Sequence, residues 1–140
     1  MRGLVIRAAG PDDVAALVAL DSFAAPDNDR AASIARWVRG GQCICADFGG
    51  NPAGYAVMHS HFFGQPMLEL VMVARAHRSI GVGTALIRHV QTLAGPVLWT
   101  STNQSNHAMQ SLLQKLGFRR SGIVEGLDEG DPELIYRLSR

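Results

Sequence analysis

The period of the hydrophobic pattern changes several times along the chain, and each change marks an element. Gly3 to Ala8 (GLVIRA) reads as a short strand. Gly10, Pro11, Asp12 and Asp13 then offer an N-cap, a first-turn proline and acids suited to the positive end of a helix. Val14, Leu17 and Val18 recur at helical spacing up to Leu20, and a break at Pro26 to Asn28 precedes a second helix with Ile34, Trp37 and Val38 on one side. Gly40 and Gly41 stop it. Gln42 to Phe48 and Ala53 to Phe62 are strand candidates joined by the turn Gly49-Gly50-Asn51-Pro52, a β-hairpin. Gly64, Gln65 and Pro66 turn the chain into Met67 to Val73 (MLELVMV), whose near-continuous apolar character predicts a central strand covered on both faces.

From Val82 to Leu93 the period is helical, with Val82, Leu86, Val90 and Leu93 in one stripe, and Gly95 and Pro96 end it. Val97 to Thr100 is a brief buried strand. Met109, Leu112, Leu113 and Leu116 mark another helix, closed by Lys115 in its last turn and Gly117 after it. Arg119 to Glu125 and Glu133 to Leu138 form a closing pair of strands around the acidic loop Gly126 to Pro132. The order β, α, α, β, β, β, α, β, α, β, β predicts an α/β protein with one mixed sheet and helices on both sides.

Composition narrows the class. At 140 residues the chain is expected to be one domain, 1–140, large enough to fold without metals or disulfides. Its 47% hydrophobic and 18% charged residues exclude a disordered tail or a collagen-like rod. A net charge of +1 gives no general pull towards nucleic acid or anionic lipid, so neither is expected as a partner. Cys43 and Cys45 are too few for a structural zinc site and are expected to be small buried hydrophobes on one strand face. No apolar run reaches a membrane span and Met1 to Gly10 lacks a secretory segment, which makes the cytoplasm the expected compartment.

The most informative stretch is Arg78-Ser79-Ile80-Gly81-Val82-Gly83-Thr84, between the apolar strand and the helix that follows. A helix start leaves backbone N–H groups unpaired and carries about half a positive charge, so it can hold phosphate without a basic cluster. Gly81 and Gly83 permit close backbone approach, and Arg78 can add a charged hydrogen bond. A dinucleotide fingerprint and a Walker A loop are both absent. Taken alone, Gly-x-Gly at such a turn is also ordinary turn chemistry.

A second signal bears on this choice. Arg78, Gly81 and Gly83 match the Arg/Gln-x-x-Gly-x-Gly/Ala pattern of the GNAT N-acetyltransferase superfamily, Asn106 to Phe118 (NHAMQSLLQKLGF) resembles its later helix ending in Gly-Phe, and VIRAAGPDDVAAL is similar to its first strand and helix. The resemblance spans nearly the whole chain. It implies a GNAT-like central mixed, mostly antiparallel sheet, acetyl-CoA as co-substrate, no metal, and an amine acceptor that is a small molecule or a peptide. It also implies that Ser79, Ile80, Gly81, Val82, Gly83 and Thr84 hold the pyrophosphate through their backbone with Arg78 nearby. The Val73 N–H would then meet the thioester oxygen and Val71 the pantetheine amides. Dimerisation through the last strands is a family habit.

Acetyl transfer needs a neutral amine, a polarised carbonyl and a departing thiolate. An alkyl amine of pKa about 10.4 is mostly protonated at neutral pH, so a base must take its proton. Glu69 is the leading candidate, at a place where some family members carry a glutamate; the alternative is a polar residue at a splayed strand edge or a partner of an Arg. Where many members place a tyrosine as general acid, this chain has Leu113. Tyr136 is a possible substitute, with packing as its other reading. Asn106 either caps its helix or, by the resemblance, contacts the cofactor. His59 and His61 share a strand face without a third ligand, which favours packing or pocket polarity over metal binding. Glu125, Asp128, Glu129, Asp131 and Glu133 make a local negative field that can attract a cationic amine or simply be a solvated loop. Trp37 and Trp99 are expected to be core or helix-packing residues. The expected reaction is direct attack in a ternary complex; the alternative is a catalytically weak acyl-CoA-binding sensor or partner module.

Overall fold

The computed structural model describes residues 3–24 and 28–139. In chain order it contains β1 (Leu4–Ala8), a 3-10 turn at Pro11–Asp13, α1 (Val14–Leu20), α2 (Asn28–Arg39), β2 (Cys43–Phe48), β3 (Asn51–Phe62), β4 (Gln65–Val73), a second 3-10 turn at Arg75–His77, α3 (Val82–Ala94), β5 (Val97–Asn103), α4 (His107–Lys115), β6 (Arg119–Val124) and β7 (Glu133–Ser139). The strands form one sheet in the order β1-β2-β3-β4-β5-β7-β6. The ladders β1 to β2, β2 to β3, β5 to β7 and β6 to β7 are antiparallel, and β4 to β5 is parallel. Among the described residues the fold is thus mixed α/β, with a mostly antiparallel seven-stranded sheet and four α-helices.

Several boundaries differ from the expectation. The expected break at Pro26 to Asn28 falls largely outside the described residues, and Asn28 already belongs to α2. β3 starts two residues early because Asn51 and Pro52 pair with Phe48 and Asp47, leaving Gly49 and Gly50, both at positive φ, as the turn. That backbone suits a two-residue hairpin, whose twist matches the flanking strands. β4 likewise starts at Gln65, after a turn formed by Phe63 (φ 52) and Gly64 (φ 78). β5 runs on through the polar Ser101, Thr102 and Asn103, since its ladder to β7 continues to the pair Asn103 and Glu133.

The chain packs as two compact units, one comprising residues up to Met58 with Leu70–Val90, the other His59–Glu69 with residues from Gln91 onward. In the first, alternate residues of β3 meet helices on opposite faces. Tyr55 and Val57 join a buried cluster with Leu17, Ile34, Val38, Cys43, Cys45 and Met72. Gly54 faces the other way, where an added Cβ would lie 3.2 Å from Val82 and 2.7 Å from the Met72 carbonyl. Trp37 packs against the cluster, as expected. The cluster is tied down by Asp21, 2% exposed, which accepts hydrogen bonds from the Tyr55 hydroxyl at 2.5 Å, an Arg30 N–H at 3.1 Å and the Phe23 amide at 2.8 Å. Burial, reinforced by Asp21, raises the Tyr55 pKa. Arg7 bridges Asp13 and Asp47 at 2.8 and 2.9 Å.

In the second unit, Leu98, Thr100 and Thr102 of β5 and Leu134, Tyr136 and Leu138 of β7 are buried, while their neighbours turn to the other face. Trp99 is therefore not a core residue: the buried register belongs to the even positions, so the indole stands on the open face. Leu93 also departs from its expected stripe. Its angle on α3 fits, but it sits in the last turn and is exposed, and Ile87 is buried instead.

Candidate active site

β4 ends at Val73, and the 3-10 turn Arg75–His77 leads the chain to the start of α3. Ser79 (φ 65) and Gly81 (φ 98) both take left-handed backbone conformations. Ser79 is one of two non-glycine residues in that region among those described, and such strain persists only where surrounding structure imposes it. The Ala85 amide donates to the Gly81 carbonyl at 3.0 Å, so the N–H groups of Val82, Gly83 and Thr84 precede the first helical hydrogen bond. Ser79, Ile80 and Gly81 are exposed, whereas the Val82 side chain is buried and presents only its backbone. Arg78 Nε donates to the Val73 carbonyl at 3.1 Å, which holds the guanidinium beside the turn while using one of its five N–H donors. The start of a thirteen-residue helix, with N–H groups ahead of its first hydrogen bond and an arginine in the adjoining turn, is chemistry that can attract an anion.

Among the described residues the β4 to β5 ladder consists of Met67 with Trp99 and Leu68 with Thr100, and β4 continues to Val73 beyond it. Val71 and Val73 are half-buried on this stretch.

Glu69 is on the same strand with its side chain 46% exposed, and its partner is a histidine rather than an arginine. His59 Nε2 lies 3.6 Å from Glu69 Oε1, an electrostatic contact rather than a full hydrogen bond. The His61 amide donates to His59 Nδ1 at 3.0 Å. That places the proton of a neutral His59 on Nε2, aimed at the carboxylate. The His59 and His61 rings stack at 5.3 Å. The Phe63-Gly64 turn joins β3 to β4 and so brings the His59 side chain near Glu69, a meeting across two strands that no local stretch of the sequence shows.

The remaining candidates are placed as follows. Asn106 Oδ1 accepts from the Met109 amide at 3.1 Å and so caps α4. Tyr136 is 2% exposed in the middle of β7. Leu113 is a core residue, 1% exposed. Asp128 and Asp131 accept from Asn103 Nδ2 and from Ser105, which fastens the acidic loop to the end of β5. Cys43 and Cys45 are buried, and burial pushes the Cys43 thiol up to about 12 and raises Cys45 as well. Neither is an activated nucleophile. No group of three or more His, Cys, Asp or Glu gathers into a metal-binding cluster among the described residues.

Known proteins resemble this chain. The model of the Acetyltransferase (GNAT) family matches residues 14–118, a span that includes β4, the turn and α4. Mycothiol acetyltransferase from Segniliparus rotundus is 35% identical over 78 residues, which is 56% of this chain and 28% of that protein. The match thus spans little more than a quarter of that relative's length. The crystal structure of a GNAT-family acetyltransferase from Bacillus cereus ATCC 10987 is 30% identical with a TM-score of 0.90, covering 98% of this chain and 97% of that one. The structure of yncA from Salmonella typhimurium with its cofactor acetyl-CoA has a TM-score of 0.75 at 21% identity, covering 99% and 94% of the two chains, a likeness of fold. With three quarters of its length matched by the family model and a relative of the same fold aligned end to end, the chain belongs to the acetyltransferase (GNAT) family.

Proposed function

We propose that residues 1–140 act as a single N-acetyltransferase domain that moves the acetyl group of acetyl-CoA to a primary amine by direct attack in a ternary complex. The observation that carries this reading is the turn from Arg78 to Thr84, with its left-handed Ser79 and Gly81 and its N–H groups ahead of the Gly81 to Ala85 bond. Backbone N–H groups of Ser79 to Thr84 hold the diphosphate, and Arg78 adds charge. The Val71 and Val73 backbone, on the stretch of β4 beyond its β5 ladder, pairs with the pantetheine arm. When bound, acetyl-CoA supplies an electrophilic thioester carbonyl and a thiolate leaving group.

Glu69 takes the proton of the incoming amine, directly or through a water. Its half-exposed position suits that task, since a base must exchange its proton with solvent between turnovers. His59 acts as a positioning residue, with Nε2–H turned towards the carboxylate by the His61 amide. The thiol, of pKa about 8.5, leaves as thiolate without a side-chain acid, which accommodates Leu113 at the usual tyrosine position. Tyr136 is the reserve donor, reached only if the buried β7 hydroxyl becomes accessible. Asn106 serves the cofactor chiefly by fixing the start of α4. Among the described residues no helix is long and apolar enough to cross a membrane, and the cytoplasm is the proposed compartment.

Titration calorimetry with coenzyme A tests the turn. Wild type should bind, and Gly83→Trp, with its helix content checked by circular dichroism, should lose measurable affinity. Equal affinity in a folded variant rejects the turn assignment. Leu113 favours one second reading, an acyl-CoA-binding module without turnover. Release of free thiol from acetyl-CoA across an amine panel separates the two.

A further inference from the structure

The open face of the second unit, opposite the buried Leu98, Thr100 and Thr102, bears a cavity of about 420 Å³ walled by Phe62, Phe63, Gln65, Trp99, Ile123 and Ile135. That volume is in the range of small-molecule sites. Its aromatic wall is fixed in place: Trp99 Nε1 donates to Gln65 Oε1 at 2.6 Å, and the Phe62 ring lies 5.2 Å from the indole. Phe63, in the left-handed region and 91% exposed, stands at the rim, where a glycine or asparagine would sit with less strain.

A charge feature adjoins this wall. The β5, β7 and β6 registers align Trp99, Arg137 and Arg119 in one row across three strands. The Arg137 guanidinium lies 5.6 Å over the indole. Two arginines directly opposite on antiparallel strands repel each other. Both are exposed, and among the described residues neither forms an ion pair with a carboxylate. The pair therefore has repulsion with no internal counter-charge, beside a rigid apolar wall. A ligand carboxylate would relieve that repulsion through forked N–H donors. Ser121, at the bulge between Arg120 and Gly122, adds a hydroxyl to the cavity wall.

We propose that this cavity is the acceptor subsite for an amine carrying both an aromatic ring and a carboxylate, with the ring against Trp99 and Phe62 and the carboxylate on Arg137 and Arg119. The assignment of the ligand as acceptor rests on the acetyl-transfer reading; the binding chemistry does not. Met67 pairs with Trp99, and Glu69 follows two residues later, about 7 Å along β4. The base is thus within the span of one amino-acid-sized ligand seated on the wall.

Calorimetry with 3-phenylpropanoate, which has the ring and acid but no amine, tests the site without acetyl-CoA. Wild type should bind it saturably and at least tenfold more tightly than 2-phenylethylamine, and Arg119→Gln with Arg137→Gln should weaken it at least tenfold. Absent binding, preference for the amine, or an unchanged double variant overturns the proposal. Thiol release from acetyl-CoA with phenylalanine then tests the acceptor role, with KM rising at least tenfold in the double variant and kcat little changed. Turnover of other amines but not phenylalanine overturns the acceptor assignment. Intact phenylpropanoate binding with no turnover on any amine supports the site and defeats the acetyl-transfer reading.

Discussion

Glu69 shows what a single residue needs from its neighbours. Its position one strand before the phosphate turn was readable from the chain, but its partner was not, because His59 is brought to 3.6 Å only by the β3 to β4 hairpin. A carboxylate that accepts the amine proton contributes a factor of roughly 10² or more to the rate. Glu69→Gln should therefore lower kcat/KM by about a hundredfold, and most at low pH, where less of the amine is already deprotonated. A variant with full activity removes Glu69 from the mechanism. His59→Gln should alter the shape of the pH profile while leaving coenzyme A affinity unchanged. Asn106 had two readings, and the geometry assigns its Oδ1 to the Met109 amide.

Among elements, β4 links fold and chemistry. It carries the apolar run that marked it as central and lies fourth of the seven strands, yet among the described residues its last pair with β5 is Leu68 with Thr100. Its spacing from β3 depends on Gly54, where a Cβ would approach the Met72 carbonyl to 2.7 Å and Val82 to 3.2 Å. Backbone and core must shift to admit a methyl there, at a cost of about 1–3 kcal/mol. Gly54→Ala should lower stability by that amount in urea unfolding. Because Met72 lies between Val71 and Val73, coenzyme A affinity should fall as well. Unchanged stability would show that the β3 to β4 spacing yields freely. The hairpin turns were less legible than the strands, since a four-residue Gly-Gly-Asn-Pro segment and a two-residue Gly-Gly turn look alike until the ladder counts Asn51 and Pro52 into β3.

For the molecule as a whole, pH dependence of stability is set by groups joined across the sequence. The Arg7 guanidinium, followed by the Gly10 amide, lowers the Asp13 carboxyl from 3.8 to about 2. A carboxylate with a depressed folded pKa stabilises the native state above its unfolded value, and that stabilisation is lost as pH falls from about 4 through about 2. Arg7 is 37% exposed, so screening limits the effect to about 1 kcal/mol. Acid unfolding of Asp13→Asn should lose this part of the slope while the transition near neutral pH drops by a similar amount. An identical acid limb in both proteins would assign the slope to other carboxylates.

The sequence by itself determined the succession of helices and strands, the glycine turn ahead of α3 and the family the chain resembles. These depend on periodicity, caps and turn residues, which act over a few positions. Tertiary structure decided which side chains meet. Trp99 faces outward because the β5 ladder to β7 commits the alternate residues to the core, and its indole meets Gln65, thirty-four positions away. Arg119 and Arg137 become neighbours only through the β6 to β7 register, which shifts between Arg120 and Gly122. A one-residue change in strand register reverses every face, so such pairings are fixed by the assembled sheet and not by any local stretch of the chain.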